Sequence, residues 1–318
     1  MTSLGNSGGS RLPLPTQVGV RSLERREAGP TKKAAPKAGA ERTRIVDGVS
    51  REDEDDKRRA LQRLLSEDEA EEQAADQTLA QPSGHRTQLR RVDGLAFRRD
   101  PKGGLVAPLF SDVTQGNLGD AWLLASCAAV AQAAPQHILE RVVREDDDRF
   151  SVHLGSITLV VSPEFPAERY ADPTPNGLAD TLWVALIEKA FAQLDGGSYQ
   201  NLECGNPGRA LEVLTGAPST RVSLTERTPL EALWQRISVA ATAARPMVLR
   251  TKDLEVSKPL CAEHTYAVLG ASEQAGVRVV RVYNPWGTRG NTRPISSMIH
   301  DLPLDVVRAD CEALYVSG

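Results

Sequence analysis

Apolar positions along this chain fall into two regimes that meet near residue 95. No aromatic residue precedes Phe97, and every Trp, Tyr and Phe lies there or later. Met1 to Ile45 is rich in Gly, Ser, Pro, Ala and bases, with Lys32, Lys33 and Lys37 among them. Such a stretch buries too little apolar surface to offset its ordering entropy, so disorder is expected. Arg51 to Leu79 is charge-dense, with Leu61, Leu64 and Leu65 on one helical stripe and acids from Glu52 to Asp56 at its start. That pattern predicts an amphipathic helix, either solvated or docked on the core as a pro-segment. Pro82-Ser83-Gly84 reads as a linker.

From Leu95 onward the pattern is globular. Ala121 to Ala134 is apolar almost all round and ends at Pro135, which predicts a helix buried on most sides. Arg149 to Val161 alternates and is rich in Val, Ile and Leu, as strands are. Asp180 to Leu194 repeats apolar residues at helical spacing and stops at Gly196-Gly197. Leu230 to Ala244 is a further helix, started after Pro229. Met247 to Arg250, Thr265 to Ala271 and Val277 to Tyr283 predict strands. Helices precede strands, which points to an α+β chain in two lobes: a helical lobe at about 96–215 and a β-rich lobe at about 216–318, behind an N-terminal extension, 1–95. No internal repeat is visible.

Composition narrows the classes. The chain has 318 residues, 40% hydrophobic and 25% charged, with a formal net charge of −4 and a pI near 5.8. That balance gives no reason to expect nucleic acid as a partner. Met1 to Pro15 lacks a basic n-region and an apolar h-region, and no stretch approaches about 18 uninterrupted apolar residues, so neither a secretory signal nor a membrane span is expected. Cys127, Cys204, Cys261 and Cys311 are widely spaced, which suggests reduced thiols in a cytoplasmic setting. Export as an effector without a cleavable signal is the alternative.

The chemistry begins at Thr114 to Trp122, TQGNLGDAW. Gly116 and Gly119 allow tight turns before the buried helix, which puts position 121 in its first turn. A helix N-terminus carries partial positive charge and unpaired N–H groups. A thiol there would have a depressed pKa, with oxyanion donors beside it, and Gln115 could add a side-chain amide. Position 121, however, is alanine. Cys127 lies six residues on, about 240° around the helix, and is better read as core.

Downstream, a hairpin loop over Ser272 to Gly276 would set His264 opposite Asn284, close enough for the amide oxygen to orient the imidazole. His264 follows position 121 by 143 residues, within the roughly 130–150 of papain-like enzymes. His85, His137, His153 and His300 show no such spacing and are read as surface or structural. Asp146-Asp147-Asp148 reads as a solvated hairpin loop.

These residues carry a resemblance. QGNLGDAWLLAS resembles the calpain active-site motif Q-G-x-L-G-D-C-W-L-L-A-A, with Ala121 in the cysteine position. HTYAV from His264 is similar to the calpain histidine strand, and Asn284-Pro285-Trp286-Gly287 to its asparagine motif. LWVALIEKAFAQLDGGSYQNL resembles the stretch W-x-x-L-x-E-K-A-Y-A-K-L-x-G-S-Y. The resemblance covers roughly 105–318. It implies a papain-like core in which position 121, His264, Asn284 and Gln115 are catalytic, Trp286 shields the His–Asn pair, and Trp122, Gly205 and Glu263 line the substrate cleft. It also raises calcium, since calpain cores bind that ion in each lobe: Asp112 stands at a ligand position, and Leu105 and Ala107 could offer carbonyls. The acidic ligand expected in the SYQNL stretch is instead Gln200, and the residues after Asn284 lack the second site's acids. The chemistry itself needs no cofactor.

The function implied is limited proteolysis of protein segments in extended conformation, the chain's own N-terminal arm included, by Cys-His-Asn catalysis. Without the thiol no acyl-enzyme forms, and such losses cost on the order of a million-fold. Ala121 is either a deliberate replacement that blocks self-cleavage or the native residue of a pseudoprotease that binds protein without cutting it. A thiol-dependent acyltransferase is the third expectation.

Overall fold

The computed structural model describes residues 89–318 except 147, 167–180, 254 and 288–293, all within the unit Arg58–Gly318. The disorder expected over Met1 to Ile45, the helix expected in Arg51 to Leu79, the linker and His85 lie outside the described residues.

The first lobe runs through β1 (Leu89–Arg91), a 3-10 turn (Phe110–Asp112), α1 (Ala121–Ala133), α2 (Pro135–Arg141), β2 (Val142–Arg144), β3 (Phe150–Leu154), β4 (Ile157–Val161), β5 (Glu164–Pro166), α3 (Trp183–Leu194), a second 3-10 turn (Tyr199–Leu202) and α4 (Pro207–Thr215). The strand signal over Arg149 to Val161 resolves into the hairpin β3–β4, with β2 completing a three-stranded sheet. Helix α1 starts where the N–H groups of Leu123 and Leu124 reach the Asp120 carbonyl at 2.9 and 3.2 Å. It stops before Pro135, which opens α2 because the first helical position needs no N–H. Every residue of α1 from Ala121 to Ala131 is buried, as its all-round apolar pattern demands.

The second lobe comprises β6 (Ser219–Ser223), α5 (Leu230–Thr242), β7 (Met247–Thr251), β8 (Thr265–Gln274), β9 (Val277–Tyr283), a 3-10 turn (Ile295–Met298), β10 (Ile299–Pro303), α6 (Leu304–Asp310) and β11 (Cys311–Ser317). Its strands form one six-stranded antiparallel sheet in the order β10-β9-β8-β7-β11-β6. Strand side chains alternate between faces, and this alternation divides the core. Val248, Ala267 and Tyr283 pack with α1 and the rest of the first lobe. Their neighbours Leu249, Tyr266 and Val282 pack instead with Leu233 and Ile237 of α5 and Val307 of α6. The sheet is therefore buried on both sides, and one side is the seam between the lobes.

The β8–β9 hairpin differs from the sequence expectation. Its turn is the two residues Ala275-Gly276, between the paired Gln274 and Val277, rather than a loop over 272–276. Both turn residues have positive φ, 50° and 78°, the combination that tight two-residue hairpins require. An alanine in that conformation gives no turn signal. The register also shifts between Val268 and Gly270, and the last paired residues are Ala267 and Tyr283. His264 and Asn284 are thus not opposed strand partners; each sits just beyond the end of its strand.

Candidate active site

The loop that leads into α1 is fastened to the β-rich lobe. The Tyr283 hydroxyl donates to the Val113 carbonyl at 2.6 Å, and the Gln115 N–H donates to the Pro285 carbonyl at 2.8 Å. Gly287 closes the seam: a Cβ there would fall 2.4 Å from Thr114 Oγ1 and 2.8 Å from the Val113 carbonyl oxygen, and its φ is +57°. Gly287→Ala should therefore destabilise the fold by about 2–4 kcal/mol, from overpacking plus left-handed strain. Urea unfolding measures it, and a change within about 0.5 kcal/mol, the range of neutral surface substitutions, would show that the lobes do not meet here.

On the far side of this seam, His264 Nε2 lies 2.9 Å from Asn284 Oδ1. The same oxygen accepts the Trp286 N–H at 3.0 Å, which fixes the carboxamide with its oxygen toward the ring. Nε2 must then carry the proton, and Nδ1 is the basic nitrogen. The imidazole is 6% exposed. The Trp286 ring lies over it at 4.9 Å and Tyr266 meets it edge-on at 5.0 Å. Its backbone is held by Thr251, whose Oγ1 accepts the His264 N–H at 2.9 Å, while the Asn284 N–H donates to the Met298 carbonyl at 2.8 Å. Burial lowers the pKa of His264, partly opposed by the bond to Asn284, so the ring is neutral at pH 7.

At position 121 the first intrahelical bonds belong to Leu123 and Leu124, which leaves the N–H groups of Ala121 and Trp122 outside the ladder. Gln115 is buried beside them, and its Nε2 donates to the Leu118 carbonyl at 2.7 Å and to Asp120 Oδ1 at 3.3 Å. The amide expected to serve an oxyanion is thus tethered within its own loop, the longer bond being the easier one to exchange.

Beneath this loop lies a pair that sequence reasoning missed. Asp120 and Glu188 are 0% and 1% exposed, and their carboxyl groups bond to each other. Burial pushes Asp120 up to about 7, offset in part by the bonds to Glu188 and Gln115. Neighbouring Lys189 donates through Nζ to Ser162 O, Ser162 Oγ and Glu164 O at 2.8–3.2 Å. Two charged residues in the wholly buried face of α3 were the available signal.

The cleft residues divide. Trp122, expected to line the cleft, is only 4% exposed; its indole N–H donates to the Leu202 carbonyl at 2.6 Å and its ring meets Phe191 edge-on. A large apolar ring with one donor finds both needs met inside the lobe. Gly205 lies directly against it: a Cβ there would be 2.0 Å from the indole. Glu263 is exposed, with φ +50°. Cys127 is buried among apolar side chains and its thiol pKa is strongly raised by that burial. Cys261 is half-buried beside Tyr266, whose hydroxyl accepts its N–H.

Asp112, the calcium candidate, has other partners. Arg98 engages both its oxygens, at 2.6 and 3.0 Å, and Oδ2 also accepts the Leu109 N–H at 2.9 Å and the Trp183 indole N–H at 3.2 Å. No group of three or more His, Cys, Asp or Glu suited to a metal occurs among the described residues. This donor set does not fit a calcium ion, which wants several free oxygen ligands.

A buried helix start whose leading loop is bonded to the segment carrying a His–Asn pair, at the seam of a helical and a β-rich lobe, is the arrangement of papain-like thiol peptidases. The family model described as "Calpain family cysteine protease" matches residues 101–298. The chain belongs to the calpain family of cysteine proteases. It is 30% identical over 200 residues to Calpain-type cysteine protease DEK1 of Arabidopsis thaliana, covering 55% of this chain and 9% of that protein. It is 28% identical over 200 residues to Calpain-9 of Mus musculus, covering 56% of this chain and 28% of that protein. Calpain-8 of Homo sapiens is 30% identical over 206 residues, with the same two coverages. The chain therefore spans under a third of the length of these relatives. No helix among the described residues is long and apolar enough to cross a membrane.

Proposed function

We propose that this chain is the core of an endopeptidase that cleaves extended protein segments, and that Ala121 silences it in the present form. With a thiol at position 121, His264 Nδ1 would accept its proton and the sulfur would attack the substrate carbonyl carbon. The N–H of residue 121 and the Gln115 amide would hold the oxyanion, and the imidazolium would return the proton to the leaving amine before water releases the acyl group. The observation that carries this reading is the 2.9 Å His264–Asn284 pair, next to the Pro285–Gln115 bond that joins the two halves of the site. The free thiols Cys127, Cys204, Cys261 and Cys311 suit a reducing, cytoplasmic setting.

Ala121→Cys tests it: the variant should degrade casein or trim its own N-terminal arm while the parent does neither. An inert variant, folded and assayed with and without calcium, would sink the peptidase reading. One observation favours a second reading. Alanine is the best helix former, so position 121 suits a pseudoprotease that holds a protein segment in the cleft, as a native gene encoding alanine there would indicate. If the variant is active, product masses separate hydrolysis from acyl transfer to an amine.

A further inference from the structure

We propose that the guanidinium of Arg98 is a resident cation of the helical lobe: at Asp112 it takes the place of a divalent ion, so the segment leading to Gln115 is held in shape without added metal. Asp112 is 3% exposed, and a carboxylate so buried must be neutralised or fully hydrogen-bonded. Four donors meet it: Oδ1 accepts from Arg98 Nη1, and Oδ2 accepts from Arg98 Nη2, the Leu109 N–H and the Trp183 indole N–H. The Arg98 contact is bidentate, the geometry in which a planar guanidinium binds a carboxylate best. Both oxygens are thus engaged by the guanidinium, and Oδ2 has no site left for a metal.

The position of Arg98 adds a second argument. Its carbonyl accepts the Val106 N–H at 2.9 Å, and Arg99 pairs with Leu105. The guanidinium thus arises from the segment bridged to Leu105, beside the very backbone, Leu105 to Ala107, that would otherwise offer carbonyls to an ion. The consequence reaches the site through the next three residues. Val113 accepts from Tyr283 and Gln115 donates to Pro285, so whatever fixes Asp112 fixes the start of the seam. Arg98 is a positioning residue; it acts through Asp112.

The test is thermal unfolding of the chain with Ala121 in place, which is independent of whether the protein cleaves anything. The parent midpoint should be the same in millimolar calcium and in chelator. Arg98→Ala should lower it by about 6–20 °C, the shift expected when a buried pair loses one partner in a domain of this size. Calcium should then recover part of that loss, and Asp112→Asn in the same background should abolish the recovery. A parent midpoint raised by calcium, or an Arg98→Ala loss that calcium leaves untouched, would overturn the cation-for-cation exchange. Should Arg98→Ala fail to fold, Arg98→Lys decides: a smaller loss indifferent to calcium supports the proposal, and a midpoint raised by calcium refutes it.

Discussion

In the A121C protein, His264→Ala is expected to lower kcat/KM on an unfolded protein substrate by about 10⁴–10⁶-fold. The imidazole is a base at the seam with one nitrogen already committed: Nε2 is bonded to Asn284, whose oxygen orientation is set in turn by the Trp286 N–H. Removing the ring removes both the thiol's proton acceptor and the proton donor for the leaving amine. Asn284→Ala should cost less, about 10²-fold, because it leaves a base whose tautomer and angle are no longer fixed. Since Asn284 acts only through His264, the double variant should be no slower than His264→Ala alone. Single-turnover assays of the three proteins decide this. A double variant slower by a further factor near that of Asn284→Ala would mean that the two residues act independently, and the hairpin-end pair would lose its catalytic meaning.

The parts of the site that could be read from sequence are those whose chemistry is local. The turn glycines and the apolar run after Asp120 place a helix start at position 121, and the helix begins there. His264 and Asn284 could be associated because two strand patterns flank a short polar stretch. Their exact register could not: Ala275 takes a left-handed conformation with nothing in its side chain to announce it, and the shift near Leu269 leaves no trace in the alternation. The pairing survives that error because both residues lie past their strand ends, where contacts from Thr251 at the end of β7 and from Met298 set their positions. Trp122 was misplaced for a different reason. Its position next to the nucleophile suggests the cleft, but its acceptor is Leu202, 80 residues on. Arg98 was missed because its partner is a residue already spoken for by family resemblance, and nothing in the sequence separates a half-buried arginine in an irregular segment from an exposed one. The misses at Trp122 and Arg98 each involve a side chain satisfied by a partner elsewhere in the sequence, which patterning along the chain cannot supply.

The Asp120–Glu188 pair gives the stability of this core an expected dependence on pH that a carboxylate-rich surface would not. Asp120 ionises near 3.8 when unfolded, and burial raises it to about 7 in the folded chain, with the Glu188 and Gln115 bonds pulling the other way. Between about pH 4 and pH 7 the folded protein therefore keeps a proton that the unfolded chain has released. The folded state is the better proton binder in that window, so its stability falls as pH rises through it and levels off above. His264 contributes the opposite slope: with its pKa lowered by burial, it costs stability as pH falls below about 6.5. Asp120→Asn separates the two. The amide can still accept from Gln115 and can donate to Glu188, which removes the shared-proton requirement while His264 is unchanged. The variant should gain on the parent by on the order of 2–4 kcal/mol between pH 4 and pH 8, measured by urea unfolding across that range. Glu203 adds a further, smaller repulsion to Asp120, while Lys189 Nζ is bonded to Ser162 and Glu164. Parallel stability curves for the two proteins would mean that both carboxyl groups are already ionised in the fold, and that the helix carrying position 121 rests on a repulsive pair rather than on a shared proton.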